Sequence, residues 1–491
     1  MPHSEGHRPR SVEWGNDEME MLVGPTWQSG SDHEHPIEVR DPQDGCLIET
    51  VPRATLDDLD TAIEHGYRGA KTARAMPTHQ RMDVLRGAAD LIESRRVVYA
   101  TMIAREGIKT IREARREVWR CTETLRLSAE VARTSAGETL NFDQRPGSER
   151  RVGYWYREPV GVVAAITPFN DPLNLVAHKV GPAIAAGNAV VVKPHSETPL
   201  SALLLAQAFI EAGLPPGILQ VVTGSGSEIG EALVAHPAVS MVTFTGGNLA
   251  GAKVARAASG KRVLLELGSN CPAIVMPDAD IDAAVEAIAD GAFGCAGQNC
   301  LHAQRVIAHR DIRDDLVSRL VDAARRIRLG DKLSETTDMG PLINERSARR
   351  IDSMVEEAVA RGGDVLTGGR RSGTRMEPTI VDNLPSDSRL AKEEVFGPVV
   401  GTIEVRSLEE AIAVANETPY GLHAGVFTRD LATAMQAVRE LRCGAVMVND
   451  TGDYRIDAMP FGGVKGSGIG REGVASAFQE MTTTKVVCFN L

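Results

Sequence analysis

Apolar residues recur at three- and four-residue intervals from Leu56 to Ala75 and from Met82 to Ile92, and charged faces run through Ile111 to Ala132. That period predicts amphipathic helices over most of residues 55–138. From 139 to 158 the pattern changes to alternation around Pro146-Gly147, ending in Arg151-Val152-Gly153-Tyr154-Trp155-Tyr156. It predicts a hairpin that leaves the main body. From Pro159 onward, continuous apolar runs alternate with helical stretches. Gly161–Thr167, Asn188–Val192, Leu219–Val222 and Val239–Thr243 read as strands, and about Leu173–Ala185 and Leu200–Ala212 as helices. Buried strands alternating with helices predict a parallel, doubly wound sheet. Strands near 262–266 and 271–276, then a helix from Asp280, carry the chain past a boundary near Gly268. A second βα block runs to about Gln479, and Thr482–Leu491 reads as a lone strand suited to pairing with another subunit.

The chain has 491 residues, more than one hydrophobic core accommodates, so two or three domains are expected. A net charge of -12 argues against a nucleic-acid or anionic-membrane surface. The longest apolar stretches, such as Gly187 to Val192, fall far short of a membrane span. Met1 to Gln28 has neither an apolar signal core nor an Arg/Ser-rich amphipathic pattern, and reads as a frayed arm. Seven scattered cysteines without CxxC spacing point to a reducing cytoplasm, and no Cys/His set has zinc-site spacing, so no metal is expected.

Two short stretches carry chemistry. Gly297-Gln298-Asn299-Cys300 ends a small polar segment on a cysteine, and Glu266 interrupts the apolar run Val263-Leu264-Leu265-Glu266-Leu267. A buried carboxylate is costly unless it is partnered or employed. A thiol that attacks a carbonyl carbon and a carboxylate that later draws a proton from water together suggest a covalent thioester route. Thr223-Gly224-Ser225-Gly226 and Phe244-Thr245-Gly246-Gly247 each join a strand to a helix, where backbone N–H groups can receive phosphate. Neither fits the GxGxxG fingerprint, so spacing alone leaves the ligand open. Lys193-Pro194 adds a cation at a strand end, where ligands of parallel sheets sit.

These residues, with Ile166-Thr167-Pro168-Phe169-Asn170, Val192-Lys193-Pro194, Leu265-Glu266-Leu267-Gly268, Glu394-Val395-Phe396-Gly397-Pro398 and Pro460-Phe461-Gly462-Gly463, resemble the aldehyde dehydrogenase superfamily from about residue 36 to the C-terminus. The resemblance implies an α/β fold: two doubly wound parallel-sheet domains and a small β oligomerisation arm. Its division is residues 1–138 and 159–268 for cofactor binding, 269–479 for catalysis, and the hairpin 139–158 with strand 480–491 for oligomerisation. It further implies Cys300 as nucleophile, Glu266 as base for the deacylating water, and Asn170 with the Cys300 N–H as oxyanion donors. Lys193 and Glu394 would hold the two riboses and Phe396 would pack beside the nicotinamide. Thr167, Ser196, Gly224, Gly246, Gly247 and Leu267 complete the cofactor groove.

Some positions depart from the common family pattern. Ser196 stands where many NAD-preferring members carry glutamate, which favours NADP with NAD as the alternative. Gly247 replaces a frequent serine, and Ser269-Asn270 stands where Gly-Lys is frequent. The segments Asp453–Pro460 and Met481–Lys485 are most similar to the branch holding non-phosphorylating glyceraldehyde-3-phosphate, lactaldehyde and phosphonoacetaldehyde dehydrogenases. Phospho-aldehyde members of that branch use arginines on substrate. Arg120 aligns with one of them, Asn299 replaces another, and Arg455 lies one residue out of register with a third. The resemblance, together with a low aromatic content of 4%, predicts a small polar aldehyde bearing a phosphonate, phosphate or hydroxyl. Its oxidation to the acid would use NAD(P), in a cytoplasmic homodimer or homotetramer. The alternatives are a CoA-acylating relative or a cysteine-dependent acyl transferase or hydrolase, and a family member without activity. Retained Glu266 argues for water as acceptor.

Overall fold

The computed structural model describes residues 19–491. Two twisted sheets form its frame. The first has eight strands, and its parallel centre runs in the spatial order Leu219–Val221, Ala189–Lys193, Val162–Ile166, Met241–Thr245, Arg262–Glu266. These strands are nearly all apolar and buried, as a sheet covered by helices on both faces demands. Chain order reverses beside Val162–Ile166, and the crevice at that switch point is where such sheets take ligands.

The N-terminal segment corrects the frayed-arm expectation. Residues 1–18 lie outside the described part, but Met21–Val23 pairs antiparallel with Thr26–Gln28 and, through Leu22, with Val221. Met21, Leu22 and Val23 are all buried. An apolar triplet at an open sheet edge gains more by pairing there than by staying solvated.

Four helices, Leu56–Ala75, Thr78–Ser94, Arg96–Glu106 and Ile111–Thr134, pack on this sheet. Thr55 and Thr110 open the first and last of them with capping boxes completed by Asp58 and Glu113. The helix Asn174–Ala186 is buried along its whole length.

The second sheet has seven strands, with Ala303–His309 and Cys271–Val275 near its centre. The chain crosses from one sheet to the other between Glu266 and Cys271. Gly468–Gln479, inside the 269–479 block read from sequence, returns to the first sheet together with Met481 just beyond it. Gly468–Ile469 pairs antiparallel with Leu265 and Glu266, and Ala477, Phe478 and Met481 join the first core. The strand Thr482–Asn490 pairs along its full length with Arg151–Pro159, and Glu138–Leu140 adds a third strand. Val486, Phe489 and Tyr154 are exposed on this small sheet. No helix among the described residues is long and apolar enough to cross a membrane. All seven cysteines are unpaired.

Candidate active site

Cys300 ends a turn that only an unusual backbone can make. The helix Ile281–Phe293 runs into a turn in which Cys295 (φ 50°), Ala296 (φ 53°) and Gly297 (φ 64°) are left-handed. A Cβ at Gly297 would collide with the Gly397 carbonyl, so glycine is required there both for its dihedrals and for close approach. The Ser269 hydroxyl donates to the Cys300 carbonyl and pins the peptide, while Leu301 N–H donates to Asn299 Oδ1 at 3.0 Å. Strand Ala303–His309 then anchors the turn in the second sheet.

Cys300 opens onto a cavity of about 540 Å³, which Asn170, Glu266, Asn299, Arg120 and Arg455 also line. Six residues singled out in the sequence thus meet in one space. Burial pushes the Cys300 thiol well above its usual range, and Arg455 is the main group opposing that rise.

Glu266 lies at the carboxyl end of its strand, 3% exposed, and neither carboxylate oxygen has a hydrogen-bond partner. Burial raises its pKa well above the carboxylate range. Glu472 adds to the rise, and Lys179, Arg455 and Arg471 oppose it. An unpaired buried carboxylate is retained only at a cost in stability, which marks it as a working group.

Behind it lies a network that sequence reasoning missed. Lys179, fully buried, donates to Thr243 Oγ1 (3.0 Å), Thr245 Oγ1 (2.8 Å) and Glu472 Oε1 (3.4 Å). Arg455 donates to Glu472 Oε2 at 2.9 Å, and its guanidinium lies 3.8 Å from the Phe461 ring centroid. Burial alone would raise Glu472, but Lys179 and Arg455 bring it down to about 2. Lys179 carried the same signal as Glu266, a lone charge in an apolar segment. Glu472, between Arg471 and Gly473, carried none.

Arg120 is not a free cation. Its Nη2 and Nε donate to Asp457 at 2.8 and 3.2 Å, and Nη1 lies 3.4 Å from Asp171. Asp457 also meets His178 Nε2 at 2.8 Å, and these partners hold its pKa low despite burial. Asn299 donates through Nδ2 to Asp453.

Of the residues expected on the cofactor side, those from Thr167 to Leu267 follow the carboxyl ends of the first sheet's strands, and Glu394 and Phe396 come from the loop before Val399–Val405 of the second sheet. Lys193 is buried and bonds only to the Pro194 carbonyl (3.0 Å). Burial lowers its pKa to about 8. Thr167 Oγ1 is buried without a partner. Gly247, which starts the helix Asn248–Ala257 without a side-chain cap, faces open space, as do Gly226 and Gly230 beyond Gly224. Gly246 N–H is held by the Glu266 carbonyl at 3.0 Å, and Leu267 N–H by the Ser467 carbonyl at 3.0 Å. Ser196 follows in the loop after Lys193, beside His195. Glu394 accepts from Ser269 N–H at 2.8 Å, and burial raises its pKa to about 7. Phe396, at φ 49°, sits edge-on to Phe169 with 5.7 Å between centroids. A cation without a carboxylate, uncapped N–H groups and open glycines fit a dinucleotide's riboses and phosphates.

Residues 27–487 match the aldehyde dehydrogenase family. The chain is 46% identical over 455 residues to aspartate-semialdehyde dehydrogenase 1 of Pseudomonas canavaninivorans, covering 93% of this chain and 97% of that one. It is 44% identical over 438 residues to 3-sulfolactaldehyde dehydrogenase of Priestia megaterium, covering 89% and 91%. The NADP-dependent glyceraldehyde-3-phosphate dehydrogenase of Bacillus halodurans, solved with NADP, superposes with a TM-score of 0.94. It is 36% identical and covers 97% of this chain and 100% of that one.

Proposed function

The chain belongs to the aldehyde dehydrogenase family and is an NAD(P)-dependent enzyme of it; from that premise we propose that it oxidises a small aldehyde bearing an anionic group to its carboxylic acid, through a thioester on Cys300. The observation that carries this reading is Glu266, buried with both oxygens unpaired on the wall of the cavity that holds Cys300 and Asn170.

Burial raises the Cys300 thiol pKa and Arg455 opposes the rise; the thiolate is the form that attacks. The thiolate adds to the aldehyde carbon, and the carbonyl π electrons move onto oxygen. Asn170 Nδ2 and the Cys300 N–H donate to that alkoxide; losing one such donor costs about 3–4 kcal/mol. The oxidised nicotinamide, when bound, supplies the acceptor for the hydride lost from that carbon. A thioester remains on Cys300. Water then adds to it while Glu266 takes the water's proton, the C–S bond breaks, and the acid leaves with Cys300 again a thiolate. Lys179 and Glu472, hydrogen-bonded to each other, act on Glu266 through their charges, Lys179 lowering and Glu472 raising its pKa.

Arg455 is the cation we assign to the substrate's anionic group. Arg120, paired with Asp457 and Asp171 as Arg455 is with Glu472, is the second cation of that cavity we assign to the same group. The names of the three relatives above share a small aldehyde with an acidic function, which supports the class. Lys193 without a carboxylate neighbour, Ser196 in place of an acid, and the nearby charge of Arg346 on His195 favour NADP over NAD. We assign the three-stranded sheet of 139–158 and 480–491, with its exposed Val486, Phe489 and Tyr154, to oligomerisation.

Absorbance at 340 nm across small aldehydes, with NAD and NADP in parallel and with or without CoA, tests the reading. Cys300→Ser abolishes turnover, and the product is the free acid. A fully active serine variant, or an acyl-CoA product, overturns it.

A further inference from the structure

Ser269-Asn270 stands where the family pattern frequently has Gly-Lys, and neither residue lines the cavity that holds Cys300. Both are buried on the short crossing from the first sheet to the second, just beyond Glu266. The backbone of that crossing is locked. Leu267 N–H donates to the Ser467 carbonyl at 3.0 Å, Gly268 N–H to Asn248 Oδ1 at 2.9 Å, and the Ser467 hydroxyl to the Gly268 carbonyl at 2.8 Å.

From this fixed base Ser269 spends its two donors on the two halves of the site. Its hydroxyl donates to the Cys300 carbonyl, and its N–H donates to Glu394 Oε1 at 2.8 Å. The peptide that follows the nucleophile is held at both ends, its carbonyl by Ser269 and its N–H by Asn299 Oδ1 at 3.0 Å. A peptide so held resists rotation about the Cα–C bond of Cys300, which fixes the direction in which the thiol faces the cavity. The Cys271 thiol, 3.8 Å from the same carbonyl oxygen, is too weak and too distant a donor to take the serine's place.

Asn270 extends the brace on the other side. Its Nδ2 donates to the Glu393 carbonyl at 2.9 Å and the Ala391 carbonyl at 3.2 Å, while its Oδ1 accepts from Arg305 Nε at 2.5 Å. A Cβ at Gly268 would lie 2.5 Å from Glu394 Oε2, so that carboxylate packs directly on the crossing. The loop bearing Glu394 and the turn bearing Cys300 are therefore fastened to the same pair of residues.

Resting on the oxidation reading above, and on Glu394 as the carboxylate for the nicotinamide ribose, we propose that Ser269 is a positioning residue that sets the nucleophile against the cofactor. Its hydroxyl fixes the Cys300 peptide and its N–H fixes the ribose carboxylate. The reacting carbon carried on Cys300 is then held in one register with that carboxylate. Glycine at this position keeps the N–H and lacks the hydroxyl, so the hold on Cys300 belongs to the serine side chain.

Ser269→Ala deletes the hydroxyl and keeps the N–H. In single turnovers, with enzyme in excess over aldehyde, its limiting rate of cofactor reduction falls about ten- to a hundredfold, the effect of a misaligned reacting pair. The dinucleotide KM stays within about twofold of the wild type, because the Glu394 contact survives. A second readout needs no cofactor. Iodoacetamide, followed by mass, alkylates Cys300 several-fold more slowly in the variant, because the thiol spends less time facing the cavity. A damaged fold has the opposite sign, since it exposes the thiol and speeds alkylation. An unchanged limiting rate, or alkylation as fast as in the wild type or faster, overturns this assignment alone. A wild type that reduces no nicotinamide with any aldehyde overturns the oxidation reading, and the alkylation rates still decide whether Ser269 holds Cys300.

Discussion

Replacing Glu266 by glutamine separates the two halves of the reaction. The wild-type carboxylate makes no hydrogen bond, so the substitution breaks none. It removes one of two like charges that now face each other, since Glu472 raises the Glu266 pKa. General-base assistance is worth about 10²–10⁴ in rate, or roughly 3–5 kcal/mol. That loss falls on thioester hydrolysis, whose water Glu266 deprotonates. On rapid mixing, Glu266→Gln still releases one equivalent of reduced cofactor per site, then turns over about 10²–10⁴ times more slowly. Acid-quenched protein carries the acyl mass on Cys300. Stability gives an independent reading. The folded pKa of Glu266 lies above its unfolded value near 4.5, so the folded state holds the extra proton. The wild type therefore loses stability as pH climbs from about 4.5 through the folded pKa. The glutamine variant lacks that contribution, so its Tm exceeds that of the wild type increasingly as pH rises through this window. Burst and steady-state rates falling together, or a steady-state rate left unchanged, refute the assignment of Glu266 to hydrolysis.

Three further outcomes are expected. Glu472→Gln moves the acid limb of the kcat–pH profile down, because a repelling charge is removed and Lys179 and Arg455 are freed to act on Glu266. It also lowers stability by about 3–5 kcal/mol, as loss of a buried ion-pair partner does, and an upward or absent shift of the limb contradicts the network. Lys193→Ala raises the dinucleotide KM by about tenfold or more with little change in kcat, and Ser196→Glu shifts preference from NADP towards NAD; steady-state kinetics with both cofactors decide. Val486→Arg on the exposed strand reduces the assembled mass in sedimentation, whereas an unchanged mass removes that strand from the subunit contact.

The sequence made some of these residues legible and hid others, for a physical reason. Cys300 and Glu266 stand out because each is at odds with its own neighbours: a thiol after a glycine-led polar turn, a charge in an apolar strand. The parallel sheet was readable because its strands are buried on both faces and therefore continuously apolar. The short strand Met21–Val23 was not, since three residues have no period and only the waiting edge at Val221 makes them a strand. The partner of Arg120 was hidden because a sequence displays a charge without its counter-charge, and Asp457 lies 337 residues away. Lys179 is further from local inference still, for its acid Glu472 stands 293 residues on, in a glycine-flanked loop with no periodicity.

Charge within the cavity is therefore a poor guide to function by itself. Lys109, Arg120, Glu117 and Asp171 line it and pair among themselves, and Arg112 pairs with Asp338. Glu266 differs from them in that neither of its buried oxygens has a partner. A folded protein tolerates such unmet demands at a cost of about 1–3 kcal/mol apiece, and a ligand that meets them recovers that energy as binding or as a lowered barrier. Satisfaction is a property of pairs brought together by the fold, so a group left unmet becomes visible only once the strand that carries Glu266 is seen against the turn that carries Cys300.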